Sequence, residues 1–475
     1  MKIERREPMK RMVSADTKIS AGEKIRWVVG FCGFPYAVLM FSGVIMYYFT
    51  DVLGIAPAAA GTLLLVARIW DGINDPMMGI VVDRTYTRWG KCRPYILAGG
   101  ILMSLFTYLL FTNPGITTES GKLAWAYFTY IGFGMSYTVF VMSLKVLPTR
   151  LTQDRNTITS LSSLSFIGTS ICSAFAALTL MKFIEVFSGP EQDMSKAYSR
   201  VALVAAALLL VTCLILSTLK ERDFEAAEGY TKKRTPLLGA FKAIITNKPF
   251  IGFCLASAIV YIGYYLAAST LMYYCVYNLG NANYYTPLTF VDYATPIIAA
   301  LAIPPLTKKF GKRSIVVIAF IGIALGYGLR YITGDQNIVL MVALATIAGT
   351  AIGFWNVVFT PMSLDCAMYS EYKSGIKVDA LFVTSFTLLT KIASGVAGAL
   401  LGFILDGVGY VQNAETQSES ALTALRLCAT AGAAVSAIVA LIVFLSMFTL
   451  KESDLERINA ELHGFANSAD NTEGE

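Results

Sequence analysis

Ala67-Arg68-Ile69-Trp70-Asp71-Gly72-Ile73-Asn74-Asp75-Pro76 places an arginine, two aspartates and an asparagine near the middle of an otherwise apolar run, 58 to 83. A run of that length reads as a membrane crossing, since about 20 predominantly apolar residues in a helix span the hydrocarbon core. A carboxylate at the centre of that medium costs about 2.5 to 3.5 kcal/mol on insertion scales, so it normally faces a cavity or a partner. Asp71 and Asp75 are four residues apart and share one helix face, where two negative charges about 5 to 6 Å apart repel unless a cation or a proton intervenes. A hard cation such as Na+ at Asp71 and Asp75 resolves the conflict. Asn74 then adds an amide oxygen, and Thr138 or Ser136 of the fourth apolar run a hydroxyl. Alternatively one aspartate stays protonated, or Arg68 pairs with Asp71 and the cluster only locks helices together. One arginine does not neutralise both acids, which favours a cation-coupling site.

The rest of the chain supplies the context for that helix. Its 475 residues are 55% hydrophobic and only 15% charged, too little polar surface to cover a soluble globule of this size. The reading is an all-α membrane protein with helices near 25 to 49, 58 to 83, 94 to 112, 123 to 148, 157 to 187 and 199 to 219, then near 250 to 277, 285 to 307, 314 to 333, 338 to 366, 379 to 406 and 421 to 449. The continuous runs Val201 to Leu219 and Ala429 to Leu450 lack the alternating polarity of barrel strands. Eight cysteines stand singly, mostly in apolar runs, without a disulfide frame or paired-Cys metal motif.

Organisation follows from charge. Residues 1–24 carry seven Lys or Arg and read as a cytoplasmic tail, with no compact apolar segment ending in a cleavage site. Residues 221–248 are rich in charge and read as a solvated connector between a bundle at 25–220 and a second at 249–450; residues 451–475 form a polar tail. With the amino terminus in the cytoplasm, the inward loops hold Arg84, Arg88, Lys91, Arg93, Arg150, Arg155, Lys308, Lys309, Lys312, Arg313, Lys373 and Lys377, and the outward loops few cations. Both termini are therefore expected in the cytoplasm, in a multi-pass protein of the inner membrane. The net charge of +6 is spread between apolar runs and forms no nucleic-acid-binding stripe. Gly-Lys with further cations recurs at 83–94 and 308–314, a faint repeat between two six-helix, pseudo-symmetric halves. Such repeats build alternating-access carriers of the major facilitator fold, with the solute near the midplane between the halves.

Further polar residues stand inside the spans. Lys391 lies near the middle of the eleventh helix, too deep to snorkel easily; it either balances the acids of helix two across the halves, holds a solute oxygen, or serves as a tether. Lys145 stands three residues before Pro148 and reads as a snorkelling lysine, with occupation of the cation site as the alternative. Helix seven carries Tyr261, Tyr264 and Tyr265, and helix ten Trp355 and Asn356. With Arg68 and Lys391, these are candidate substrate-cavity residues, offering ring faces and hydrogen bonds to a sugar, although aromatic stripes also serve packing and interface belts.

The run Ala67 to Gly79, followed by Asp83 and Arg88-Trp89-Gly90-Lys91-Cys92-Arg93-Pro94-Tyr95, resembles the glycoside-pentoside-hexuronide:cation symporters of the major facilitator superfamily. Tyr47-Tyr48 with Thr50-Asp51 ahead of it, and Asp365, Tyr369, Glu371, Tyr372, Gly375, Lys377, Asp379 and Lys391 behind it, extend the resemblance nearly end to end. It implies sodium- or proton-coupled uptake of a sugar, glycoside or hexuronide, with no cofactor beyond the transported ion. Asp71, Asn74, Asp75 and Thr138 fall where that family's cation ligands lie, and Asp83, Arg88, Lys91 and Arg93 resemble its cytoplasmic gating loop. The chain departs from the melibiose-type members, in which an acid of helix one and an acid of helix four grip the sugar. Here those regions read Phe34-Pro35-Tyr36 and Val139-Phe140-Val141-Met142, and Thr159 to Ser165 offers serines where relatives often carry an arginine. With those acids lost and Lys391 kept, an anionic sugar is expected to be tolerated better than a neutral glycoside. The expected partners are a sugar or sugar acid and the lipid bilayer, with the chain acting as a monomer. A cation-independent facilitator or exchanger is the alternative. A membrane-embedded enzyme fits less well: the one histidine, His463, lies in the polar tail, and no His-Glu-x-x-His, Gly-x-Ser-x-Gly or phosphate-loop pattern occurs.

Overall fold

A computed structural model of the chain describes residues 19–84, 87, 89–152, 154–190, 192–222, 244–333, 337–375, 379–458 and 461. The first half contains α1 (Ala21–Val52), α2 (Pro57–Arg84), α3 (Arg93–Leu110), α4 (Glu119–Leu151), α5 (Arg155–Ser188) and α6 (Met194–Ser217). The second contains α7 (Lys248–Asn278), then a 49-residue run Tyr285–Thr333 broken at Gly311, then α10 (Ile338–Ser374), α11 (Asp379–Gly407) and α12 (Glu419–Met447). Gly311 has φ +76° and ψ 157°, a region open to glycine and strained for other residues; the residues before it form α8 (285–310) and those after it α9 (312–333). Among the described residues eleven segments are long and apolar enough to cross a membrane. The helix carrying Arg68, Asp71 and Asp75 is not among the eleven, although its 28 residues give it the length.

Local sequence sets several helix starts. Ser20 and Glu23 form a capping box that begins α1 at Ala21, four residues ahead of the expected position, because the reciprocal bonds satisfy amides that a helix start would leave open. Asn247 accepts from the Phe250 amide at the start of α7, and Ser418 from the Ala421 amide at the start of α12.

Within the first half α3 packs on α4 and α6; within the second α7 packs on α12, and the α8–α9 run on α10. Across the halves α2 lies against α11, and α5 against the α8–α9 run. Glycine allows the first of these contacts. A Cβ at Gly61 would lie 2.9 Å from the Gly398 carbonyl oxygen, one at Gly395 would lie 2.8 Å from Cβ of Arg68, and one at Gly402 would collide with the Pro57 carbonyl oxygen. The small residues bring two backbones together where lipid supplies no hydrophobic drive.

The internal repeat is closer than the Gly-Lys pairs alone suggest. Gly90 (φ +113°) opens into α3 and Gly311 (φ +76°) into α9. Leu219-Lys220-Glu221 follows α6, and Leu450-Lys451-Glu452 follows α12. The Glu221 carboxylate accepts the backbone N–H groups of Lys91, Cys92 and Arg93, each at 2.7 Å, and that of Glu452 accepts the Lys312 N–H at 2.7 Å. A Cβ on either glycine would stand 2.5 Å from the facing glutamate, so glycine supplies both the turn and the room. Each carboxylate closes the open amides of a helix start and meets the positive end of its dipole. Glu221 and Arg222, read from sequence as part of the solvated connector, are engaged instead, Arg222 pairing with Glu23 at 3.1 Å. Charge density alone does not distinguish a solvated acid from one that caps a neighbouring helix.

Candidate functional site

Arg68, Asp71, Asn74 and Asp75 fall on one face of α2, at positions i, i+3, i+6 and i+7. That face turns toward α4 and α11. Nη1 of Arg68 lies 3.2 Å from Oδ2 of Asp71, and the guanidinium sits over the rings of Phe41 at 5.0 Å and Tyr130 at 5.9 Å. The ring faces and the carboxylate together compensate a cation held out of water. Gly134 of α4 leaves space for the acid, since a Cβ there would lie 2.8 Å from Oδ1 of Asp71.

Asp75 has different partners. The Thr138 hydroxyl donates to its Oδ1 at 2.8 Å, and Nζ of Lys391 donates to its Oδ2 at 2.5 Å. Both charged side chains are 14% exposed, and the lysine also lines the cavity between the halves. Each acid thus has its own cation, Arg68 from the same helix and Lys391 from the opposite half. Asn74 is buried and its Nδ2 has no hydrogen-bond partner among the described residues. Ser136, named as an alternative to Thr138, donates to the Gly132 carbonyl at 2.7 Å and is spent within its own helix.

Arg68, Asp71 and Lys391 border a cavity of about 330 Å³ between the halves. Arg68, Asp71, Tyr130 and Tyr137 line it from the first half, and Tyr265, Thr387, Thr390 and Lys391 from the second. A recess of about 110 Å³ shares Ser42, Tyr265 and Ser269 with it and is lined further by Tyr264, Tyr293 and Asp292. The volume and the mixture of rings and a few polar groups suit a small hydroxylated solute.

The candidate cavity residues divide. Arg68, Tyr265 and Lys391 line the main space and Tyr264 the recess. Tyr261 is buried and donates to the Asn356 side-chain oxygen, and neither borders these two spaces. The expectation that Trp355 lines the cavity is not met. It is 1% exposed and packs on Phe320 at 4.8 Å and Phe253 at 5.2 Å. Ala351, Ile352, Trp355, Val358, Phe359 and Met362 form the helical stripe of α10 that enters the core of its own half. Lys145, expected to snorkel, lies at the surface of its helix bundle and within electrostatic reach of Asp75 and Lys391.

In the gating loop, the Lys91 and Arg93 amides bind Glu221, and Nε of Arg93 donates to the Ser217 carbonyl at 2.6 Å. The side chain of Asp83 and the whole of Arg88, Lys377 and residues 1–18 lie outside the described residues. In the second half Lys312 donates to both carboxylate oxygens of Asp365, at 2.7 and 2.6 Å.

Two groups escaped the sequence reading. Asp51, which the sequence marks only through the family resemblance, is 3% exposed. It accepts from the Tyr277 hydroxyl at 2.6 Å, the Tyr410 hydroxyl at 2.7 Å and the Asn413 amide at 3.3 Å. Gln412 adds a bond to the Ile55 carbonyl at 2.7 Å. Together they tie α1 to α7 and the end of α11 at the face of the bundle opposite the termini. The second group is Asp292, an isolated acid in the eighth apolar run. The rule that flagged Asp71 would have flagged it as well.

The family described as MFS/sugar transport protein matches residues 28–452. The chain is 30% identical over 402 residues to an isoprimeverose transporter of Lactiplantibacillus pentosus, covering 83% of this chain and 81% of that one. It is 26% identical over 393 residues to a glucuronide carrier protein homolog of Escherichia coli (82% and 84% covered). Among solved structures, a D-xylose-proton symporter aligns with a TM-score of 0.63 at 13% identity, over 90% of this chain and 97% of that one. That last likeness concerns the fold alone.

Proposed function

Since this multi-pass membrane chain belongs to the MFS/sugar transport protein family, we propose that it carries a sugar, glycoside or hexuronide by alternating access, driven by symport of Na+ or H+ and without covalent chemistry. The relatives named for isoprimeverose and glucuronide transport support a glycoside or sugar-acid substrate. The excess of cations in the loops on the terminal side supports an inner-membrane orientation with both termini in the cytoplasm.

One observation carries the coupling: Lys391 of one half neutralises Asp75 of the other. A coupling ion is a competitor for that carboxylate. When Na+ or a proton takes Asp75, the bond to Lys391 is lost, the two halves are released from one charged tie, and the ammonium turns to the solute in the cavity. Thr138, already on Oδ1 of Asp75, is placed to remain as an oxygen ligand, and Asp71 and Asn74 lie one turn away or less. The ion and the solute then bind the same state preferentially, and that differential binding is the coupling. The bonds around Asp51 support a resting form sealed at the outer end.

Solute counterflow in proteoliposomes, with and without a Na+ gradient at fixed pH and with a pH gradient at fixed Na+, tests this reading. Accumulation independent of both gradients would leave a facilitator or exchanger. The ammonium of Lys391 on Asp75, with that of Lys145 in electrostatic reach, is the specific feature that favours that second reading.

A further inference from the structure

Asp292 takes no part in the ion chemistry above, yet it stands inside a membrane-spanning helix. A carboxylate there needs a compensating partner, and among the described residues it makes no hydrogen bond or ion pair. Arg330 of α9 contributes a field at Asp292 without forming an ion pair with it. The side chain instead borders the recess beside the main cavity, among Tyr264, Tyr293 and Thr289, and Ser42, Tyr265 and Ser269 line both spaces.

The rest of the cavity narrows what this acid can bind. The first half offers the cavity one carboxylate, Asp71, and it is engaged by Arg68. Asp292, in the adjoining recess, forms no ion pair among the described residues and feels Arg330 through its field alone. A carboxylate flanked by tyrosine rings and small hydroxyls matches a pyranose or furanose ring. Neighbouring hydroxyls donate to its two oxygens as charge-assisted bonds, while the C–H face lies on an aromatic ring.

We propose that Asp292, on the second half, is the carboxylate that grips the hydroxyls of the transported sugar. The remainder of the solute extends toward Arg68 and Lys391. The sugar thereby touches both halves, and an anionic substituent, where present, lies at the cationic end and away from Asp292. This rests on the sugar-transport reading and assigns the polarity of its site.

The experiment uses full-length protein in proteoliposomes, with isoprimeverose, D-xylose and p-nitrophenyl β-D-glucuronide as probes. Wild type and Asp292→Asn are compared for KM and for the Na+ and pH dependence of uptake, and single-deoxy analogues of the carried probe are run on both. The expected result is a KM raised on the order of tenfold to a hundredfold in Asp292→Asn, the worth of a charge-assisted hydrogen bond, with ion dependence unchanged. One deoxy analogue should be poor for wild type and no worse than the parent sugar for Asp292→Asn. Asp292→Glu, in which the carboxylate is kept, should recover part of the affinity, and it carries the deoxy comparison where Asn prevents insertion. An unchanged KM, or a lost ion dependence at unchanged KM, overturns the assignment while leaving sugar transport standing. Wild type carrying none of the probes overturns the transport reading and this assignment with it.

Discussion

Nζ of Lys391 lies 2.5 Å from Oδ2 of Asp75, a contact between α11 and α2 that joins the two halves of the bundle beside the cavity. Because the lysine occupies the carboxylate an incoming ion would need, its removal and the removal of the acid have opposite consequences. Asp75→Asn should abolish cation-driven accumulation and leave downhill exchange. Lys391→Ala should shift the cation activation midpoint to lower concentration by on the order of tenfold, the factor that ~1.4 kcal/mol of relieved competition gives. Undiminished uphill uptake by Asp75→Asn would remove the residue from the mechanism.

Arg68 and Asp71 form an internal pair within α2 with side chains 17% and 6% exposed. Removing one partner strands the other charge in a poorly solvated site, at a cost of about 3–5 kcal/mol. Arg68→Gln should therefore lower the unfolding temperature in detergent far more than Arg68→Gln with Asp71→Asn combined. Additive losses in the double variant would show that the two groups do not depend on each other.

The glycine seam between α2 and α11 predicts a conformational effect. Gly402→Val drives a side chain into the Pro57 carbonyl and should hold the ends of these helices apart at the face opposite the termini. A cysteine at Ser42, which lines the cavity, should then react faster with a membrane-impermeant thiol reagent added from that face. Transport should fall while insertion is retained; equal labelling in both proteins would argue that the seam tolerates the bulk.

Asp51 is the acceptor on which the bonds at that same face converge. Asp51→Asn exchanges a charged acceptor for a neutral one against Tyr277 and Tyr410, weakening each bond by about 1 kcal/mol. The open form should gain population, read as faster labelling at the same cysteine. Unaltered labelling would mean that the glycine seam alone seals the bundle.

Glu221 closes three amides at the start of α3, whereas Glu452 is seen on one at the start of α9. Glu221→Ala should accordingly destabilise its half more than Glu452→Ala, in thermal unfolding followed in detergent. The reverse order would detach stability from the number of capped amides.

Much of the architecture was legible because membrane spans are written in the chain itself. Lipid satisfies no backbone group, so each crossing must be a long apolar helix, and periods of polarity mark its ends. The same constraint made Arg68, Asp71 and Asp75 conspicuous, as anomalies against an apolar background. It marks Asp292 equally, an acid that stands alone in its span with no cluster or motif around it. The chain also contains the repeated Leu-Lys-Glu after α6 and α12, whose meaning needed the facing glycines to become clear.

What the sequence determined by itself is the presence and approximate positions of the helices, the two-half organisation and the presence of charges that require partners. Tertiary structure alone decided which partner each charge received: Arg68 for Asp71, Lys391 for Asp75, and three groups from the second half for Asp51. It likewise sent Trp355 into the core of its half while Tyr265 faced the cavity. The physical reason is that hydropathy is a property of one segment, fixed by its own residues. A charge pair between α2 and α11 depends on the rotation and separation of two helices more than 300 residues apart in sequence, set by how closely their glycines let the backbones approach.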